Sequence, residues 1–181
     1  MEKFIDSVRQ VLPAVTNDSD ITSIVLGGIS PSGPQPQSIM LAAVHQARLS
    51  KIVSGVLKDL YGIRRQTIGA QLRISRQYDG QLHQWRHNIS QFLDSTDASL
   101  LRMIFQRQHT ALRLAYAHAK ILVHRPFLLG GLVCGNKSST GDQITIEKNI
   151  GECIDAACCI AQIVHGMCEG KQMFQAFWVC F

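Results

Sequence analysis

The stretch with the greatest capacity for chemistry is LRLAYAHAKILVHRPFLLGG, residues 112–131. It carries His118, Lys120, His124 and Arg125 on a segment that is otherwise apolar and helical in pattern. A histidine and an arginine near a helix C-terminus can donate to the last free carbonyls and suit the helix dipole. Because Pro126 disfavours helical geometry at the residue before it, we predict that the helix ends there and that His124 and Arg125 cap it. Binding of an anionic ligand by this pair is the alternative.

Two further histidines, His83 and His87, are four residues apart and would share one face of a helix. Such a pair can hold a metal ion when a third ligand joins it. No third ligand lies at a telling spacing, and no glutamate completes an H-E-x-x-H pattern. We therefore predict a solvated helix face at this pair. His45 lies on an apolar face and is predicted to be a hydrogen-bonded core histidine.

The cysteines offer little for metal or redox chemistry. None of the six forms a C-x-x-C pair, and the adjacent Cys158 and Cys159 would point about 100° apart on a helix. A redox role needs a lowered thiol pKa, and no cationic neighbour in the sequence provides one. Free, mostly buried thiols are expected, with disulfides or metal binding as the alternatives.

Known catalytic patterns are also missing from the sequence. It contains no G-x-S-x-G, no glycine-rich phosphate loop and no paired carboxylates in a plausible setting. We therefore expect that the chain is not an enzyme, and that it binds no cofactor or metal of its own.

Composition favours a globular chain with a partly covered surface. Apolar residues make up 46% of the chain and charged residues only 17%, below the usual quarter. The charge is uneven, because residues 48–125 hold thirteen Lys and Arg against four Asp and Glu. These cations are scattered, which favours a solvated helical surface over direct nucleic-acid binding, the alternative. The first residues lack a signal-peptide pattern and no apolar run is long enough to span a bilayer, so we expect a soluble intracellular protein with no membrane role.

The elements that must position these residues are predicted to be helices. A short helix over 1–12 precedes a loop or linker at 27–38, GGISPSGPQPQS. Helices are predicted over 39–61, 70–92, about 99–125 and 144–167, with a loop at 135–143 and a further element beginning at 173. Gly80 marks a potential break in the second of these helices, and Asp97 or Ser99 is the predicted cap of the third. The expected fold is all-α, an irregular bundle of four to five helices that is incomplete at the C-terminus.

Helical periodicity identifies the residues expected to face the core. The third helix carries apolar residues on two sides, which is typical of a helix buried between neighbours, and its polar flank holds Arg102, Gln106, His109, Arg113, Lys120 and His124. The predicted inner faces of the other three are, in chain order, His45, Leu49, Ile52, Val53, Val56 and Leu60; Leu72, Tyr78, Leu82, Trp85, Ile89 and Phe92; and Cys153, Ala156, Ala157, Ile160, Ala161, Val164 and Met167. The third helix is expected to bury Leu101, Ile104, Phe105, Leu112, Ala115, Tyr116, Ala119, Leu122 and Val123 on its main face, and Met103, Leu114 and Ile121 on a narrower stripe.

Four stretches of this sequence resemble, in order, motifs of one known family. They are ARLSKIVSGVLKDLYG at 47–62, LHQWRHNISQFL at 82–93, LAYAHAKILVHRPFL at 114–128 and CIDAACCIAQIV at 153–164. The resemblance is to the fungal-specific transcription factor domain, also called the middle homology region. The sequence differs from the family's pattern at Ile89-Ser90, where the family has Leu-Pro, and at His118, which is shifted by one position. The residues that carry the motifs are Leu60, Tyr61, Trp85, Tyr116, His124, Arg125, Pro126, Cys153, Ala156 and Ala157, and the resemblance implies a structural role for them.

The resemblance implies a regulatory, non-catalytic segment of a fungal zinc-cluster transcription factor. It divides the chain into an N-terminal segment and linker at 1–38 and a partial regulatory domain at 39–181. It also implies a nuclear location and control of transcription by RNA polymerase II. DNA contact would belong to a six-cysteine zinc cluster. That cluster is absent from this chain, in which no cysteine precedes Cys134. We therefore expect the chain to be a fragment.

A stand-alone protein-interaction or dimerisation module, which would modulate a full-length regulator, is the alternative function. Both functions lead us to expect protein partners or self-association. The sequence leaves open whether a small-molecule effector binds between the helices.

Overall fold

The computed structural model describes residues 39–63, 66–94, 102–133 and 140–170. Within these ranges the chain forms five helices and no strand. They are α1 (Met40–Leu60), α2 (Ile68–Asn88), α3 (Ser90–Leu93), α4 (Met103–Val133) and α5 (Thr140–Glu169). The all-α prediction is confirmed. The predictions for 1–12, 27–38, the caps Asp97 and Ser99, and the element beginning at 173 lie outside the described residues.

The first two helices follow their sequence patterns closely. The hydroxyl of Thr67 accepts a hydrogen bond from the Ala70 backbone N–H and caps the start of α2. All six residues predicted for the inner face of α2 and α3 are buried. Gly80 does not break α2, which ends instead at Asn88; Ile89 makes a turn into the single-turn α3.

Pro126 does not end the third predicted helix, and that prediction is wrong. Helix α4 continues through Pro126 to Val133. A proline has no N–H for the carbonyl four residues earlier, which here is the carbonyl of Leu122. The Tyr61 hydroxyl at the end of α1 donates to that carbonyl at 2.9 Å and replaces the missing donor. His124 and Arg125 therefore lie inside a helix, and the prediction that they cap its end is wrong as well.

The core lies where α1, α2 and α3 pack on α4. Its fully enclosed members include Leu49, Leu82, Leu112 and Val123. Helix α5 runs antiparallel along another side of α4, since Lys120 meets Glu152 and His124 meets Asn149. Six of the face predictions for α4 and α5 are wrong. Two residues predicted for the polar flank of α4 are buried, His109 and His124. Four residues predicted for buried apolar faces are exposed, namely Met103, Ile104, Ala157 and Ala161.

Helix α5 is longer and more exposed than the sequence pattern predicts. It begins at Thr140, inside the loop expected over 135–143. By length and composition alone its Gly141–Glu169 portion could cross a membrane, with a mean hydropathy of 1.2, and only 17% of that apolar window is buried. Helices of soluble proteins pass the same test. Here the inner side of the helix carries Asn149 and Glu152, which bond to α4.

The contact between Gly55 of α1 and Tyr78 of α2 generates a stability prediction. A Cβ at Gly55 would lie 2.6 Å from the Tyr78 hydroxyl, which donates to the Asp59 carboxylate at 2.6 Å. Burial, followed by this bond, raises the pKa of Tyr78 to about 12. We expect Gly55→Ala to lower the free energy of unfolding by roughly 1–3 kcal/mol, the usual cost of overpacking, in urea melts followed by circular dichroism.

Gly80→Ala is the matched control, because a Cβ at Gly80 meets nothing within 4 Å. It should raise stability by about 0.5–1 kcal/mol through helix propensity alone. Equal effects of the two substitutions would show that Gly55 is not a packing requirement.

Candidate functional site

A cluster of buried polar side chains joins α2, α4 and α5. Its centre is His124, which is 2% exposed and whose Nδ1 lies 2.7 Å from Asn149 Oδ1. Ser75 of α2 donates its hydroxyl to the same oxygen at 3.2 Å. The Asn149 amide nitrogen donates to the Thr145 carbonyl at 2.6 Å, which fixes the orientation of the amide. Because Asn149 Oδ1 can only accept, the proton of His124 must be on Nδ1.

The other ring nitrogen of His124 faces a carboxylate. Its Nε2 lies 3.6 Å from Asp79 Oδ1, farther than a direct hydrogen bond, and neither atom has a hydrogen-bond partner. The His124 imidazole lowers the pKa of Asp79 against the opposing effect of burial, with smaller contributions from the charges of His83 and Lys120.

One turn along α4, Lys120 forms an ion pair with Glu152 of α5. The hydrogen bond from Lys120 is the main reason that the pKa of Glu152 is lowered. Burial acts to lower the pKa of Lys120, but its bond and charge interaction with Glu152 outweigh burial and raise it. Together with the His124 contacts, this pair sets the register of α4 against α5.

An aromatic pair joins α2 to α4 beside the polar cluster. The Trp85 and Tyr116 rings stack with their centroids 5.7 Å apart and an interplanar angle of 11°. The indole N–H of Trp85 donates to the His45 carbonyl of α1 at 2.9 Å. The Arg86 guanidinium lies 5.4 Å from the centroid of the Tyr116 ring, within the range of a cation–π contact. Trp85 thus contacts α1 through its indole N–H and α4 through the face of its ring.

The hydrogen bond predicted for the His45 side chain is not present at its Nδ1, and the bond at this residue is accepted by its backbone carbonyl. The side chain is 7% exposed, but its Nδ1 has no hydrogen-bond partner. Burial, with a smaller effect of the Arg48 charge, lowers the pKa of His45. The expected core position is correct, whereas the bond that anchors the residue runs from Trp85 to the main chain.

The remaining motif residues divide between core and surface. Leu60, Cys153 and Ala156 are buried, and Pro126 is half-buried inside α4. Arg125 and Ala157 are exposed. The structure brings the first two motif stretches into contact with the third, through Tyr61 and Trp85. Arg125 is exposed, but its charge acts on Tyr61 and on Cys153 of the fourth stretch.

No group of three or more His, Cys, Asp or Glu side chains in the described ranges is placed to hold a metal ion. His83 and His87 are both exposed, and His83 lies 3.7 Å from Asp79 on the same helix. Of the adjacent cysteines, Cys158 is exposed and Cys159 is half-buried.

The polar cluster is enclosed, and this determines what it can do. Ser75, His124 and Asn149 are buried, so a substrate would have to displace packed side chains to reach them. A buried hydrogen-bonding group that loses its partner costs about 1–3 kcal/mol, so such a network strongly favours one arrangement of its helices. The cluster is suited to fixing helix positions.

Sequence reasoning missed Ser75, Asp79, Asn149 and Glu152 as members of this cluster. A signal was present, because Ser75 and Asp79 are four residues apart, as are Lys120 and His124. Asn149 and Glu152 are three apart. Polar pairs at such spacing on three otherwise apolar helix faces indicate a shared buried network.

Comparison of the chain with protein-family models, with curated proteins and with solved structures found no match.

The lowered carboxyl pKa values of Asp79 and Glu152 predict acid sensitivity. Their stabilising effect is complete above the ordinary carboxyl pKa of about 4 and is lost as pH falls through the lower folded values. We expect the free energy of unfolding to fall between about pH 5 and pH 2, and Asp79→Asn to make this dependence shallower.

Asp155→Asn, at an exposed carboxylate of α5, is the control and should leave the slope unchanged. Chemical denaturation at a series of pH values measures all three proteins. If the pH dependence of the unfolding free energy in Asp79→Asn equals that of the wild type, Asp79 does not contribute to the acid sensitivity.

Proposed function

We propose that this chain is a non-catalytic regulatory segment of a fungal zinc-cluster transcription factor. In this proposal it acts in the nucleus on transcription by RNA polymerase II, and DNA contact belongs to a zinc cluster outside this sequence. Its task is mechanical, because the helices form a platform that restrains or positions the DNA-binding and activation segments. In this proposal the chain itself holds no zinc or other cofactor.

The observation that carries this proposal is that residues of different motifs contact one another in the packing of the helices. The motif at 47–62 supplies Tyr61, whose hydroxyl bonds to the carbonyl freed by Pro126 in the motif at 114–128. The motif at 82–93 supplies Trp85, which stacks on Tyr116 of that same later motif. Residues that serve packing in this way support a scaffold more than a reaction centre.

A reporter assay in a fungal host tests the proposal. The full 181-residue chain is placed between an unrelated DNA-binding domain and a strong activation segment. An unstructured spacer of equal length replaces it in the reference fusion. We expect reporter output to differ several-fold between the two fusions, because a folded platform constrains the activation segment and a spacer does not.

Leu82→Asp supplies the matched control, since Leu82 is fully buried and a carboxylate there should unfold the core. That variant should return output to the spacer level at equal protein abundance. Equal output from the chain and the spacer would contradict the proposal.

The alternative proposal is a stand-alone interaction or dimerisation module that modulates a full-length regulator. The exposed side of α5 favours it, with Ile144 at 65% and Ile154 at 50% exposure. In the same reporter strain, the unfused chain would then lower the output of a full-length relative that it binds.

A further inference from the structure

An open groove runs between α1 and α4, on the side of α1 away from the Tyr78–Asp59 bond. Its cavity volume is about 270 Å³. The apolar lining consists of Leu49, Val53 and Leu57 of α1 with Ala115 of α4. Leu57 is 46% exposed although it is a large apolar residue. The α1 residues that line the groove span Gln46 to Leu57, a length of roughly 16 Å at 1.5 Å per residue.

Polar groups line the rest of the groove. They are the side chains of Gln46, Ser50, Ser54 and His118. The Ser50 hydroxyl donates to the Gln46 carbonyl within α1. The apolar strip formed by Leu49, Val53 and Leu57 is about two helical turns long. With its polar margin, it matches the apolar stripe of an amphipathic helix.

The positive charges around the groove favour a negatively charged partner. Lys51 and Lys58 are exposed and stand three residues before and four after Ser54, so they adjoin the groove on the α1 surface. Arg125 is exposed and lies two turns beyond His118 on α4. Helix α4 contains no Asp or Glu, and the one carboxylate of α1, Asp59, accepts the Tyr78 hydroxyl of α2.

We propose that the groove between α1 and α4 binds an acidic amphipathic helix of a partner protein. Apolar residues of that helix, at a spacing of three or four, would cover the accessible side chains Val53 and Leu57. Carboxylates on its edges would meet Lys51 and Lys58. The apolar lining favours a peptide over a nucleic-acid backbone, which offers phosphates and no apolar stripe to cover these side chains. This inference stands on the groove alone and does not depend on the proposed role in transcription.

Fluorescence anisotropy with a designed peptide tests the proposal on the full 181-residue chain. The probe is a labelled 16-residue helix with leucines along one stripe and glutamates elsewhere. Its counterpart replaces every glutamate by lysine. We expect saturable binding of the acidic peptide and at least tenfold weaker binding of the basic one, a difference that narrows as salt rises.

Charge reversal locates the binding to the groove. The double substitution Lys51→Glu with Lys58→Glu should weaken binding of the acidic peptide at least tenfold and strengthen binding of the basic one. Arg73→Glu with Arg76→Glu makes the same change in charge at two exposed positions of α2 and should alter affinity less than twofold. Leu57→Gln should weaken the acidic peptide without changing its salt dependence. Thermal melts establish that each variant is folded.

Four outcomes would overturn the proposal. One is equal affinity for the acidic and basic peptides, and another is an equal loss of affinity in the α1 and α2 double variants. The third is tighter binding of a 20-base-pair DNA duplex than of the acidic peptide, abolished by the α1 double variant, which would assign the groove to nucleic acid. The fourth is a dimer in sedimentation that Leu57→Gln dissociates and the acidic peptide does not, which would assign the groove to a second copy of the chain.

Discussion

A hydrogen bond from the Tyr61 hydroxyl to the Leu122 carbonyl allows the central helix of this fold to contain a proline. Without it, the carbonyl that Pro126 deprives of a helical donor would depend on solvent alone. The bond also ties the end of α1 to the middle of α4. Because α4 continues past Pro126, His124 lies on an unbroken helix opposite Asn149, and α5 can pack along its length.

The buried polar cluster makes this packing specific. Apolar burial would tolerate several rotations of α5 against α4, but His124, Ser75 and Asn149 satisfy one another in only one of them. Lys120 and Glu152 reinforce the same register. The molecule therefore has a polar side, where α2, α4 and α5 meet, and an apolar core, where α1, α2 and α3 meet α4. The open groove between α1 and α4 lies along the edge of that apolar core.

Much of the fold follows from local rules of sequence. Helical periodicity identified α1 and α2 within a few residues and every apolar inner-face residue of α2, because one stripe of each helix is apolar. It missed the buried Ser75, which is polar. The end of α4 did not follow, since a proline normally stops a helix and the donor that replaces its N–H comes from a residue 61 positions earlier than Leu122. The burial of His109 and His124 was missed for a related reason. Their partners, the Leu93 carbonyl and Asn149, lie on other elements.

A double-mutant cycle between Tyr61 and Pro126 tests most directly whether the Tyr61 hydroxyl replaces the hydrogen-bond donor that Pro126 lacks. Tyr61→Phe should cost about 1 kcal/mol of unfolding free energy in the wild type, the typical value of one hydrogen bond. In the Pro126→Ala background the new backbone N–H serves the Leu122 carbonyl, so Tyr61→Phe should cost close to nothing. The coupling energy would then be about 1 kcal/mol, beyond the few tenths expected of independent sites. The same cost of Tyr61→Phe in both backgrounds would contradict the account and leave the helix through Pro126 unexplained.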